Sequence, residues 1–289
     1  MVMKLGEIKK LYQNELEALY PLEEIKTFFN WLCEAYLQLK PFQIQQDLDL
    51  VIEANSLLKF QSALNALKVE KPIQYILGSA HFYGMEFMVN EHTLIPRPET
   101  EELVSWILKD VSKSDNLNIL DIGTGTGCIP IAIAKNLPNA RVYALDVSVE
   151  ALKIAKRNAE SNNVKVTFSE VDILKCSDLS IIFPEVSRFD VIVSNPPYVR
   201  NLEKKEMNTN VLAYEPETAL FVADDNALLF YEIIAVLASS NLKEGGKLYF
   251  EINQYLGKEM LELMEKYKFS NNQLKKDLFG NNRMMKGEK

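Results

Sequence analysis

From residue 98 to about residue 267 the chain alternates helix-patterned and strand-patterned segments, and this alternation limits its fold more than any other feature. A helical repeat over 99–112 leads into the short apolar strand Asn118-Ile-Leu-Asp121. Helix 127–137, strand 141–145, helix 149–162 and strand 164–169 follow. Strand 189–193, a long helix near 226–241, strand 247–252 and helix 256–267 complete the series. Strands separated by helices are joined by crossovers rather than hairpins, and such crossovers lay helices on both faces of a mostly parallel sheet. The expected class is therefore α/β with a doubly wound sheet, and a ligand is expected beyond the carboxyl ends of its strands.

Residues 4–70 have a different texture. Leu5, Ile8, Leu11, Tyr12, Leu16 and Leu19 follow helical spacing, and Ile25, Phe28, Phe29, Leu32, Tyr36 and Leu39 repeat it. Pro21 suits the first turn of a second helix, which Pro41 is expected to end. Segments 44–54 and 56–69 continue the helical pattern, with Asn55-Ser56 as break and cap. No strand is expected here. Beyond Pro72, Ala80-His-Phe-Tyr-Gly-Met-Glu-Phe-Met-Val89 reads as a β-hairpin with Gly84 at its turn. These boundaries give a helical domain over 1–71, a hairpin connector over 72–97 and a sheet domain over 98–289.

Bulk properties remove several function classes. The net charge is −8, which gives no electrostatic footprint for nucleic acid. Cys33, Cys128 and Cys176 are far apart and form no Cys-x-x-Cys pair, which fits a reducing compartment. His81 and His92 are the only histidines, so metal or triad chemistry has little material, and no metal is expected. With no leader-like N-terminus and no apolar run of about 18 residues, the chain is expected to be soluble and cytoplasmic, without membrane contact.

Two motifs carry chemistry. Asp121-Ile-Gly-Thr-Gly-Thr-Gly127 follows the first strand and opens a helix, placing three of the chain's 11 glycines within five residues. Such a loop lets a ligand lie against backbone N–H groups at a helix start. A dinucleotide fingerprint would need glycine at position 128, which is Cys128. The acidic-x-Gly-x-Gly-x-Gly pattern instead resembles the first motif of class I S-adenosylmethionine-dependent methyltransferases. Asp146 ends the next strand, where a carboxylate can accept from both ribose hydroxyls; a helix-capping role is the alternative. Asp172 and Ile173 follow the third strand, where this class contacts adenine.

The second motif is Asn195-Pro196-Pro197-Tyr198, directly after strand Phe189-Asp-Val-Ile-Val193. The prolines fix φ near −65° and restrict Asn195 before them. The Asn195 side-chain oxygen and the Pro196 carbonyl then stand as acceptors for the hydrogens of a planar –NH2 group, with Tyr198 as a flat wall. A simple turn is the bland alternative.

Leu94-Ile-Pro-Arg-Pro-Glu-Thr-Glu101, Ile119–Ile129, Ser194-Asn-Pro-Pro-Tyr-Val199, Tyr214-Glu-Pro-Glu-Thr-Ala-Leu220 and Lys276-Asp-Leu-Phe-Gly280 with Arg283 occur in order. Together with the Pro72-Ile-Gln-Tyr-Ile-Leu-Gly78 entry to the hairpin, they make the chain similar to the peptide-chain release factor N5-glutamine methyltransferase family. The likeness spans essentially the whole chain. It implies a Rossmann-like class I methyltransferase sheet behind a helical bundle that helps dock the substrate. It also implies methylation of the glutamine in the Gly-Gly-Gln motif of class 1 release factors. Gly123, Thr124, Gly125, Thr126, Gly127, Asp146, Asp172 and Ile173 would hold S-adenosyl-L-methionine, converted to S-adenosyl-L-homocysteine. Asn195 would bridge cofactor and substrate, and Asn195, Pro196, Pro197 and Tyr198 would grip the glutamine. The protein is expected to be a monomer.

Asn253 stands where the family usually has glycine. Arg97 and Glu99 read equally as site residues or as a helix start, and Glu215-Pro216 as a pocket cover or a helix start. Lys275, Lys276 and Lys286 read as a solvated basic tail. A nucleic-acid exocyclic-amine (adenine N6-type) methyltransferase is the competing function, because the same socket suits a base amine.

Overall fold

The structure, a computed structural model, describes residues 3–112 and 116–289, which divide into two compact units. One runs to Gly78 and includes Asn208–Tyr214; the other comprises Ser79–Met207 and Glu215–Lys289.

The smaller unit is built on helices Leu5–Leu16, Leu22–Leu37, Pro41–Gln46, Ala54–Lys68 and Ile73–Leu77. Their apolar faces meet in one core, where the Tyr12 ring meets Phe29 and Phe60 edge-on and its hydroxyl donates to the Phe60 carbonyl at 2.6 Å. Three expectations fail locally. Segment 44–54 is not one helix: Met3–Lys4 pairs antiparallel with Val51–Ile52. The intervening turn packs on Gly6, whose absent side chain lets the Leu48 carbonyl approach and accept its N–H at 2.9 Å. Pro41 opens a helix rather than ending one, since left-handed Gln38 has already closed its predecessor. Asn55 and Ser56 lie inside the first turn of a helix that Glu53 precedes.

The larger unit carries a seven-stranded sheet: β1 Asn118–Ile122, β2 Arg141–Asp146, β3 Thr167–Glu170, β4 Phe189–Ser194, β5 Leu242–Glu251, β6 Ser270–Lys276 and β7 Asn282–Glu288. Their order is β6-β7-β5-β4-β1-β2-β3. β1 to β5 are parallel; β7 runs antiparallel to β5 and to β6. The order reverses between β1 and β4, so the carboxyl ends of these strands border the crevice where doubly wound sheets bind ligands. Helices Pro98–Asp110 and Cys128–Asn136 cover one face, and Leu229–Asn241 and Gly257–Lys266 the other. Helix Val149–Ser161 follows β2. The doubly wound expectation holds.

The Ser79–Phe82/Met85–Met88 hairpin turns through left-handed Tyr83 and Gly84 and buries Phe82 and Phe87 beside Leu103 and Ile129. It therefore belongs to the sheet unit rather than to a separate connector, and the boundary expected at 71 falls at Gly78. The C-terminal segment is strand rather than tail. Lys286 is only 9% exposed; its ammonium meets Asp110 at 2.8 Å and lies over the Trp106 ring. Among the described residues, no helix is long and apolar enough to cross a membrane.

Candidate active site

The site gathers at the carboxyl ends of β1, β2 and β4 around a cavity of about 440 Å³. Residues 92–97, residues 123–126 of the glycine loop, Asp146-Val147, Asp172-Ile173-Leu174, Asn195-Pro196-Pro197 and parts of 216–221 line it, whereas Gly127 does not.

The loop's two final glycines are required for different reasons. Gly127, at φ +79°, leads into helix Cys128–Asn136, and a Cβ there would lie 3.0 Å from Ile131 Cδ1 and 3.1 Å from Ala155 Cβ. Gly125, at φ +54°, has open space where a Cβ would stand, and its N–H donates to Asp146 Oδ2 at 2.7 Å. Asp146 Oδ1 accepts from the Ser148 N–H at 2.8 Å. The helix cap is Ser148 itself, whose hydroxyl accepts from the Ala151 N–H, so the capping alternative for Asp146 falls away. Burial raises the Asp146 pKa and the backbone N–H groups of Ser148, Gly125 and Val147 oppose it. A carboxylate has about four lone-pair sites, so this orientation leaves acceptor capacity for a diol.

Beneath the loop, Asp121 is fully buried, and among the described residues neither of its oxygens has an aligned hydrogen-bond donor. Burial pushes its carboxyl up to about 7, with the adjacent Thr124 hydroxyl opposing and the Asp146 charge adding. Asp172 lines the cavity while its carboxylate accepts from the Leu174 N–H at 3.1 Å and pairs with Lys175 at 2.8 Å. Ile173 begins a single 3₁₀ turn, lines the same wall and is buried against the core below. The lining is thus acidic around an open glycine backbone, with the Asp146 carboxylate keeping acceptor capacity and an apolar slot beyond it. That donor set fits the cationic, ribose-bearing S-adenosylmethionine.

Of the second motif, Asn195, Pro196 and Pro197 reach the cavity. Tyr198 is not part of the lining. Its hydroxyl donates to Glu251 Oε1 at 3.0 Å and its ring packs against the core. The prolines turn the chain out of β4, and Tyr198 then points inward to a buried carboxylate, so it is no wall beside the acceptor. Burial and the Glu251 charge raise its pKa well above the ordinary tyrosine value.

Two residues that the sequence reading did not single out complete the arrangement. Thr100, in the first turn of helix Pro98–Asp110, donates to Glu251 Oε2 at 2.6 Å and accepts from Asn195 Nδ2 at 3.4 Å. Glu251 ends β5 and is 2% exposed. A carboxylate closing the apolar run Leu248-Tyr-Phe250 was the available signal; Thr100 had none beyond its helix start.

Arg97 lines the cavity and pairs with Glu215, which also accepts from the Ile95 N–H at 3.2 Å. Glu215 thereby fastens the 94–97 segment along the rim. Glu99 does not line the cavity, and Pro98 opens the helix. Asn253 has no left-handed backbone, so this position does not require glycine. Its Nδ2 donates to the Tyr198 carbonyl at 3.0 Å and to the Glu203 carboxylate, anchoring the turn that follows the prolines.

Residues 113–286 match a family model described as a methyltransferase domain. A release factor glutamine methyltransferase of Flavobacterium psychrophilum is 53% identical over 287 residues, covering 98% of this chain and 99% of the relative. One from Bacteroides thetaiotaomicron is 41% identical over 281 residues, covering 97% and 99%. Among solved structures, the T. thermophilus 16S rRNA N2 G1207 methyltransferase in complex with AdoMet and guanosine aligns with TM-score 0.50 at 21% identity. It covers 73% of this chain and 49% of its own, a likeness of fold alone. The chain belongs to the release factor glutamine methyltransferase family.

Proposed function

We propose that this chain methylates the side-chain amide nitrogen (N5) of the glutamine in the Gly-Gly-Gln motif of class 1 peptide-chain release factors. S-adenosyl-L-methionine supplies an electrophilic methyl on a sulfonium and leaves as S-adenosyl-L-homocysteine. The observation carrying the reading is Asn195: it lines the cavity with its Nδ2 committed to Thr100, which leaves Oδ1 as an acceptor for an amide N–H.

Each residue then has a task that its geometry allows. Asp146, aimed by Gly125 and Ser148, accepts the ribose hydroxyls, and the 123–126 backbone borders the cofactor's amino-acid end. Asp172 and Ile173 line the adenine side. An amide nitrogen is a poor nucleophile because its lone pair is delocalised, so orientation and charge stabilisation are what the pocket can contribute. Asn195 Oδ1 and the Pro196 carbonyl accept its two hydrogens. That pairing would hold the nitrogen in line with the methyl and stabilise the positive charge it gains in the transition state; as the N–C bond forms and the S–C bond breaks, one amide hydrogen leaves as a proton to solvent. The ring-fixed backbone of Pro196-Pro197 keeps those acceptors from collapsing into the cavity. The reading places the reaction in the cytoplasm, on a monomer.

Labelled methyl transfer tests it, using a purified class 1 release factor, its Gly-Gly-Gln→Gly-Gly-Ala variant and duplex DNA. Label confined to the unmodified motif is expected. Label on DNA, or equally on the variant, would reject the reading in favour of base methylation or an unrelated acceptor.

A further inference from the structure

We infer that Thr100 and Glu251 are positioning residues that lock the Asn195 amide in one orientation and thereby make the pocket select a side-chain amide over a carboxylate. The inference rests on the glutamine reading above.

Both Glu251 oxygens accept hydroxyl bonds, Oε2 from Thr100 at 2.6 Å and Oε1 from Tyr198 at 3.0 Å. Burial raises the Glu251 pKa, while Thr100, Tyr198 and the nearby Arg283 charge act to keep it ionised. Arg283 is itself held by Asp277 at 3.1 Å. A threonine hydroxyl has a single hydrogen. With that hydrogen spent on Glu251, Thr100 can only accept from Asn195. Asn195 must therefore turn Nδ2 towards Thr100, which places Oδ1 on the other edge of the planar amide. Among the described residues nothing donates to that Oδ1, and the residue lines the cavity.

Rotating the Asn195 amide by half a turn would set its oxygen against an oxygen whose hydrogen is already committed. That arrangement loses a hydrogen bond and adds a repulsion, costs that are high at a partly buried site. The pocket is thus an acceptor by construction. A glutamine side chain offers it an N–H. A glutamate of the same shape offers only another acceptor, and sites built to bond a substrate N–H reject analogues lacking it strongly. Neither Thr100 nor Glu251 needs to touch the substrate for this to operate.

The test compares a release factor carrying Gly-Gly-Gln with its Gly-Gly-Glu variant, binding each to the full chain saturated with S-adenosylhomocysteine and following methylation of the first. Wild type should methylate the glutamine form and bind the glutamate form at least about 30-fold more weakly. Thr100→Val should lower kcat by about 10- to 100-fold and reduce the binding ratio to below about fivefold, with the S-adenosylhomocysteine Kd within about threefold. Thr100→Ser, which keeps the hydroxyl, should restore kcat and ratio to within about threefold of wild type. Glu251→Met, which removes both acceptors, should behave like Thr100→Val, because the freed hydroxyl hydrogen can then turn towards Asn195. It serves as the second probe if the valine variant fails to fold. A wild-type binding ratio kept in Thr100→Val or Glu251→Met would overturn the inference alone. Absence of wild-type methylation would instead overturn the glutamine reading.

Discussion

Removing the Asn195 side chain takes away an acceptor at the carboxyl end of β4, while leaving Asp146 and its two backbone donors untouched at the end of β2. Asn195→Ala should therefore lower turnover by roughly 10²–10³, the scale for losing one preorganised polar contact, and keep cofactor binding within about tenfold. Near-normal turnover would remove Asn195 from the reaction. Asp146→Ala should do the converse, weakening S-adenosylhomocysteine binding in a calorimetric titration; an unchanged Kd would overturn its ribose role. Asp121 gives a pH signature. Its carboxyl rises from the ordinary 3.8 to about 7 in the fold, so folding takes up a proton between those values. Its contribution is fully present below about pH 4 and is lost as pH rises towards 7. Denaturant titrations from pH 4 to 8 should show Asp121→Asn gaining stability relative to wild type by on the order of a few kcal/mol. A relative stability that is flat or falls with pH would contradict the buried, unpaired carboxyl. Asp146 and Asn195 stood out in the sequence because each follows a strand and sits in a short motif. Thr100 and Glu251 did not, since their partnership joins positions 151 apart in the chain and no local pattern records it.

At the scale of elements, the turn from Gly123 to Gly127 was legible because only glycine meets its backbone demands, and two of these glycines should fail differently when replaced. Gly127→Ala meets both left-handed strain and a crowded Cβ site, so it should lower stability by about 2–4 kcal/mol. Gly125→Ala meets strain alone, about 1–2 kcal/mol, but puts a methyl into the cavity wall. Thermal unfolding should rank Gly127→Ala as the less stable; the reverse order would mean that the loop relaxes around the added methyl. The parallel strands were readable as apolar runs because helices cover both their faces. β6 was not. Ser270-Asn-Asn-Gln-Leu-Lys-Lys276 lies at the sheet edge, where only one side pairs and polar residues are tolerated, so no apolar alternation marks it. In the helical unit, the Met3–Lys4 and Val51–Ile52 ladder is two residues long and non-local, too short for any period to announce it.

For the whole molecule, the division of labour follows from where the cavity's walls lie. Its lining residues fall between His92 and Ile234 and all belong to the sheet unit. The helical unit contributes none, yet it takes up one excursion of the later chain, Asn208–Tyr214. There the Tyr214 hydroxyl donates to the Val69 carbonyl at 2.8 Å and the Thr209 hydroxyl to Glu70 at 2.9 Å. The sequence showed the two textures but not this exchange, because segment 208–214 carries no pattern that assigns it to the bundle. A fragment beginning at Ser79 keeps both apolar clusters of the sheet and every cavity residue. It should therefore fold and bind S-adenosylhomocysteine within about fivefold of the full chain, a difference of about 1 kcal/mol. Segment 208–214, stripped of Val69 and Glu70, should lose its amide protection in hydrogen exchange, while the β4 and β5 amides stay protected. If the helical unit docks the release factor, the fragment's methyl transfer to that substrate should fall by at least about tenfold through KM rather than kcat. A fragment that methylates the release factor with an unchanged KM would remove the helical unit from substrate docking.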